Sequence, residues 1–163
     1  MTDLLRVGIA ELRVDRAPSV LACYGLGSCV AISLYDPELC IGGVAHALLP
    51  GPVEDQVVDR PGKFVSTAVG HLVDELLRHG AEQGRLQAKL CGGASMFQGF
   101  GGGSGDSIGE RNLGAAKKSL AAYGIPIVAA DVALDFGRTM EFDLATGMMR
   151  VRTVRGRVKL REL

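Results

Sequence analysis

A cysteine that directly follows a glycine-containing turn, with a histidine in the next predicted strand, is the pair best suited to chemistry in this sequence. The turn is Gly25-Leu26-Gly27-Ser28, Cys29 follows it at once, and His46 comes 17 positions later. A cysteine sulfur is a nucleophile toward carbonyl carbons, and an imidazole can take up and return its proton. The pattern therefore predicts nucleophilic catalysis by Cys29 with His46 as its base.

Antiparallel pairing of two predicted strands, 29–35 and 41–49, would bring these side chains together. A chain reversal centred on residues 37–38 puts Cys29 directly opposite His46. If the two side chains lie within hydrogen-bond distance, we expect a thiolate and an imidazolium, with the pKa of the thiol lowered by the cation. The other interpretation of the same pattern is a buried cysteine packed in a sheet beside a histidine with a structural hydrogen bond.

Small residues and a second cysteine surround the predicted nucleophile. Gly25, Gly27 and Ser28 leave the backbone open, so N–H groups of this turn are predicted to stabilise an oxyanion. Cys23 lies on the strand that leads into the turn, and we expect it to face the same site. Because no two cysteines lie two to four residues apart in the pattern of a zinc site, we expect no metal. The two remaining cysteines, which we assign to packing, are Cys40 and Cys91.

Hydrophobic periodicity predicts many strands and two helices. An apolar stripe of helical period runs through residues 64–79. A second helix is predicted from Ile108 to Tyr123, with Ser107 and Glu110 spaced as a capping box at its start. The predicted strands are 5–10, 12–14, 20–24, 29–35, 41–49, 86–91, 126–132, 138–144, 148–154 and 156–161. Short connections in the first 50 residues favour antiparallel neighbours, so we predict an α+β fold with mostly antiparallel strands and two main helices.

Length and charge narrow the class of protein. The chain has 163 residues, a mass of 17.1 kDa and a formal net charge of zero. The length favours one domain over residues 1–163, and the neutral balance disfavours a nucleic-acid partner. No apolar run reaches the ~18 residues that span a membrane, and the opening residues do not resemble a signal peptide. We therefore expect a cytoplasmic protein that does not insert into membranes.

A glycine-rich run at residues 92–109 raises the question of a phosphate-binding loop. The run lacks the Gly-Lys-Ser/Thr ending of such loops, and it holds no dinucleotide-binding glycine pattern in a strand-to-helix turn. We therefore interpret it as a loop that lets a large partner approach.

Seven segments carry a resemblance to a known family. They are GLGSCVAISLYD (25–36), GGVAHALLP (42–50), KFVSTAV (63–69), KLCGGASMF (89–97), IGERN (108–112), GIPIVAAD (124–131) and FGRTMEFDLATG (136–147). Together they resemble the CheD family, the chemoreceptor glutamine deamidases of bacterial chemotaxis. The resemblance extends from about Val7 to Val154.

The resemblance implies a layered α/β sandwich similar to the catalytic domain of cytotoxic necrotizing factor toxins. It implies that Cys29 is the nucleophile and His46 the general base and acid in converting receptor glutamine side chains to glutamate and ammonia through a thioester. The family usually carries a threonine six residues before the nucleophile as a third active-site member. In this chain Cys23 occupies that position.

Partners follow from the same resemblance. Methyl-accepting chemoreceptors are the implied substrates, the phosphatase CheC is an implied partner, and no cofactor is implied. The alternative is a CheD-like regulator that binds receptors or CheC with little or no catalysis. That alternative depends on Cys23, because a thiol is a poorer hydrogen-bond partner than a hydroxyl.

Overall fold

We describe the protein from a computed structural model, which describes residues 2–96, 105–155 and 157–163. Residues 97–104 of the predicted glycine-rich loop lie outside the described residues. No helix in the described part is long and apolar enough to cross a lipid bilayer.

The described residues form two five-stranded sheets and two main helices. The first sheet has, in spatial order, β1 (Leu4–Arg6), β3 (Val20–Leu26), β8 (Arg138–Asp143), β9 (Met148–Arg155) and β10 (Arg157–Glu162). The second sheet has β2 (Leu12–Arg16), β5 (Ile41–Ala47), β4 (Val30–Asp36), β6 (Gln87–Gly92) and β7 (Ile127–Val132). The helices are α1 (Val65–Arg78) and α2 (Ile108–Ala122). The predicted α+β fold with mostly antiparallel strands is confirmed.

The central strands β4 and β5 of the second sheet are buried on both faces. Val30, Ile32 and Leu34 of β4 pack in one apolar cluster with the helices. Ala31 of β4 and Val44 of β5 pack in a second cluster with the strands of the first sheet. The alternation of side chains along a strand produces this division. The chain thus has three layers, with the helices on one face of the second sheet and the first sheet on the other.

The prediction of antiparallel neighbours in the first 50 residues is wrong at two places. β1 pairs with β3 in parallel, and it ends at Arg6 instead of continuing to Ala10. β3 and β4 lie in different sheets instead of forming a hairpin. The reason is that two short segments, 7–11 and 27–29, each cross from the first sheet to the second.

The predicted register between the two strands of the site is also wrong. Asp36 pairs with Ile41 around a four-residue connection in which Cys40 has a φ of 51°. This centres the reversal one residue later, so Ala31 and not Cys29 stands opposite His46. The pairing moves by two positions, and an even shift leaves every side chain on its predicted face.

The start of α2 packs closely against the end of β6. Ser107 accepts a hydrogen bond from the backbone N–H of Glu110 at 3.2 Å, which confirms the Ser107 half of the predicted capping box. The Glu110 carboxylate accepts from the Ser95 hydroxyl at 3.5 Å. Gly109, in the first turn, is buried where a Cβ atom would overlap the carbonyl oxygens of Gly93 and Ala94. The backbone of α2 can reach this position only because residue 109 has no side chain.

We expect Gly109→Ala to lower the free energy of unfolding by about 1–3 kcal/mol, the usual cost of overpacking. The matched control is Gly114→Ala on the same helix, where a Cβ meets no atom of the described residues within 4 Å. That control should raise stability by about 0.5–1 kcal/mol, because alanine restricts the unfolded chain. Urea unfolding of both variants checks the contrast, and equal effects would contradict the close packing at Gly109.

Candidate active site

The backbone and ring of His46 are held by the segment that crosses between the sheets. The N–H of His46 donates to the Glu11 carbonyl at 2.9 Å, and its carbonyl accepts from Ala10 at 2.8 Å. The ring atom Nδ1 lies 3.1 Å from the Val7 carbonyl oxygen. A carbonyl can only accept, so Nδ1 carries the proton and Nε2 holds the free lone pair. Nε2 is buried and has no hydrogen-bond partner among the described residues.

The environment keeps the His46 ring neutral. The side chain is 1% exposed, and burial lowers the pKa of the imidazole below its ordinary value. The Val7 carbonyl and the charge of Glu11 oppose this shift, while the charge of Arg6 adds to it. A neutral ring with a free Nε2 is the form that can accept a proton.

Cys29 lies on the same face as His46, one pleat along the sheet. Ala31 stands between His46 on β5 and Cys91 on β6, so these three residues form a row across three strands. Cys29 precedes Ala31 by two residues and packs in the same cluster between the sheets. It directly precedes β4 and so lies diagonally from His46, just beyond the last paired residue, Val30. The structure brings the two predicted residues to one face without a hydrogen bond between them.

The predicted thiolate–imidazolium pair is wrong for the resting protein. Burial raises the pKa of the Cys29 thiol, and the N–H of Cys29 itself opposes the shift only in part. The pKa of the His46 ring moves the other way, so the neutral forms of both groups are favoured. Desolvation, which the sequence pattern does not register, is the largest cause of both pKa shifts.

Cys23 lies in the same buried cluster as Cys29 and Cys91. It is fully buried opposite Met140 of β8, and its thiol pKa is strongly raised by burial, with smaller effects from Cys91 and Cys29. Burial likewise raises the pKa of Cys91 to about 12. The ring of His46 takes its orienting bond from Val7, so the structure gives Cys23 no hydrogen bond to that ring. A catalytic part for Cys23 stays a prediction.

The turn before Cys29 holds its carbonyls and leaves N–H groups available. Gly27 accepts a hydrogen bond from Ala94 at 2.9 Å, and Cys29 accepts one from Gly93 at 2.8 Å. Apart from the contact of the Cys29 N–H with its own sulfur, the N–H groups of residues 27–29 donate to no acceptor within the described ranges. Gly25 is exposed with a φ of 65°, while Gly27 and Ser28 are half-buried. An oxyanion site at this turn stays a prediction, with donors available for it.

Two groups at this site are not among the predicted site residues, although one of them, Asn112, ends the IGERN segment that carries the family resemblance. The Val7 carbonyl is a main-chain atom, and nothing in the sequence identifies it. Asn112 is fully buried, and its side-chain Nδ2 donates to the carbonyls of Ser28 at 2.9 Å and Leu48 at 3.1 Å. A signal for Asn112 exists, because it is a polar residue four positions before Ala116 on the apolar stripe of α2.

The directions of the two pKa shifts give a spectroscopic prediction. At neutral pH the ultraviolet absorbance of the wild type should show no thiolate band beyond that of Cys29→Ser, because both groups of the pair are neutral. The band should appear only as the pH rises above the ordinary range of a cysteine pKa. A difference band already present at neutral pH would mean that the resting pair is ionic.

Comparison with known protein families gives a match over most of the chain. The model of the family described as CheD chemotactic sensory transduction matches residues 48–153. A protein of Geobacter metallireducens named probable chemoreceptor glutamine deamidase CheD 2 is 49% identical, over 98% of this chain and 99% of its own length. Its counterpart in Geobacter sulfurreducens, named probable chemoreceptor glutamine deamidase CheD 3, is 45% identical over 98% of this chain and 99% of its own length.

Among solved structures, the C-terminal domain of CNFy from Yersinia pseudotuberculosis is similar with a TM-score of 0.44 at 10% identity. That likeness covers 99% of this chain and 63% of the other. The family model and the full-length relatives together establish that this chain belongs to the CheD family of chemotactic sensory transduction proteins.

Proposed function

We propose that this protein is a chemoreceptor glutamine deamidase, which hydrolyses the side-chain amide of receptor glutamines to glutamate and ammonia. One observation carries the chemistry: on the face that it shares with Cys29, His46 presents a buried, unprotonated Nε2 that has no hydrogen-bond partner among the described residues. The substrate class follows from the names of the two Geobacter relatives, which span nearly the whole chain.

The first half of the reaction forms a thioester. The sulfur of Cys29 attacks the carboxamide carbon while its proton passes to Nε2 of His46. Backbone N–H groups of Cys29 and the turn at Gly27 and Ser28 stabilise the oxygen that becomes negative. The C–N bond then breaks, and the nitrogen leaves as ammonia with the proton that His46 returns.

The second half releases the product. His46 takes a proton from water, and the resulting hydroxide attacks the thioester carbon. The C–S bond breaks, Cys29 regains its proton from His46, and the product side chain is glutamate. A neutral Cys29 and a neutral His46 in the resting protein suit this order of steps, because Nε2 of His46 must first accept a proton and then donate it.

Access to the sulfur favours a slender substrate. Cys29 is 7% exposed, so only a narrow group can reach it through the glycine-containing turn. A glutamine side chain carries its carboxamide at the end of two methylenes, and it can extend from a receptor surface to a recessed sulfur. The half-buried Gly27 has no side chain of its own, and the side chain that borders it is that of Met96.

The remaining parts of the proposal concern location and a protein partner. We place the protein in the cytoplasm, as the resemblance to CheD proteins implies. The resemblance to CheD proteins also supports CheC as a binding partner.

Purified protein incubated with a chemoreceptor cytoplasmic fragment should convert specific glutamines to glutamate, as read by peptide mass spectrometry. Cys29→Ala should abolish conversion, and His46→Ala should slow it by roughly 10²–10⁴-fold, the usual contribution of general acid–base catalysis. The controls are Cys40→Ala and His71→Ala, which replace the same residue types outside the site and should leave the rate unchanged.

Two results would contradict this proposal. Conversion that persists in Cys29→Ala would remove Cys29 as the nucleophile. Intact receptor binding without conversion by the wild type would favour the alternative of a non-catalytic regulator.

The lowered pKa of His46 gives a pH prediction. A general base works in its neutral form, so a lower pKa extends activity to more acidic pH. The acidic limb of kcat/KM against pH should therefore fall below 6.5, the ordinary pKa of histidine. In His46→Ala the acidic fall of kcat/KM should be absent. A wild-type acidic limb with a pKa at or above 6.5 would contradict a buried ring that is neutral at rest.

A further inference from the structure

Asn112 connects α2 to both segments that carry the site. Its Nδ2 donates to the carbonyl of Ser28, directly before Cys29, and to the carbonyl of Leu48, two residues after His46. Two carbonyl partners require a donor, so they also decide which terminal atom of the amide is nitrogen. The side chain is fully buried, so water does not compete for these two bonds.

The hydrogen bond from Asn112 to the Ser28 carbonyl also fixes the direction of the Cys29 N–H. The Ser28 carbonyl and the Cys29 N–H belong to one planar trans peptide unit, in which the two groups point in opposite directions. By holding the carbonyl toward α2, Asn112 holds the Cys29 N–H on the side away from the helix. The peptide on the other side of Cys29 is held by Gly93, whose N–H donates to the Cys29 carbonyl at 2.8 Å.

The oxygen of the Asn112 amide, Oδ1, lowers the stability of the folded protein. This atom is buried and has no partner among the described residues. Leaving a buried carbonyl oxygen unpaired is unfavourable, and an apolar side chain of similar size would avoid it. Packing alone therefore does not explain asparagine at this position, whereas the need for a donor to Ser28 and Leu48 does.

We propose that Asn112 is a positioning residue that aims the Cys29 N–H at the oxyanion formed during attack by the Cys29 sulfur. This inference rests on the proposed function in that it requires Cys29 to attack a carbonyl carbon. It adds a residue on α2 that acts through the backbone and does not touch the substrate.

Two reactions of the same sulfur separate this role from simple support of the fold. Acylation by 4-nitrophenyl acetate forms a tetrahedral oxyanion at the acetyl carbon and releases 4-nitrophenolate. Alkylation by iodoacetamide displaces iodide from a saturated carbon and forms no oxyanion. Both rates are measured at Cys29 by subtracting the rates of Cys29→Ala.

In Asn112→Ala we expect the acylation rate to fall by roughly 10²-fold or more, as when an oxyanion donor is lost. The alkylation rate should stay close to that of the wild type. Asn112→Asp keeps the size but places oxygens against two carbonyls, and it should show the same selective loss. Leu120→Ala on the same helix is the control, because it should lower stability without changing the ratio of the two rates.

A parallel fall of both rates in the Asn112 variants would overturn the proposal, since the residue would then support the whole segment. Unchanged acylation would also overturn it. Receptor deamidation by the wild type is measured separately. A selective loss of acylation in a protein that modifies no receptor would uphold the role of Asn112 and reject the proposed substrate.

Discussion

The hydrogen bond between the His46 ring and the Val7 carbonyl is the interaction on which the site depends. Val7 leaves the first sheet, where its N–H donates to Ala22 at 2.7 Å, and His46 belongs to the second sheet. The bond therefore joins the two sheets at the level of the site. Because it occupies Nδ1 and the ring is buried, it fixes the tautomer and leaves Nε2 as the basic atom.

Small residues keep the backbone close around the nucleophile. Gly92 has a φ of 103°, and a Cβ atom there would overlap the carbonyl oxygen of Cys29. This turn lets the next residue, Gly93, donate to that carbonyl, so the end of β6 holds Cys29 in place. Ala31, a small and fully buried residue, separates His46 from Cys91 in the cross-strand row. The side chains that do chemistry are thus positioned mainly by main-chain contacts.

Periodicity was sufficient to predict the elements and the faces of the site. Hydrophobic runs predict the strand that contains His46 and the strand that follows Cys29. The two-position change in register keeps Cys29 among the residues packed between the sheets. The register was missed because it depends on the left-handed conformation of Cys40, which no propensity requires of a cysteine. The change of sheet at residues 27–29 was missed because a glycine turn between two strands equally suits a hairpin. The charge state was missed because burial sets it, and burial depends on the whole packed structure.

The ring of His46 is oriented by a main-chain atom, so a cysteine at position 23 can replace the threonine that the family usually carries there. Substitution of a side chain cannot remove the Val7 carbonyl, so the tautomer of His46 does not require a hydroxyl at residue 23. A hydroxyl in that fully buried position would need a hydrogen-bond partner of its own, whereas a thiol packs as a small apolar group. The raised pKa of Cys23 keeps it uncharged beside Cys29, so it adds no negative charge that would oppose the developing oxyanion. A cysteine in place of the expected threonine is therefore compatible with the acid–base chemistry of the Cys29–His46 pair.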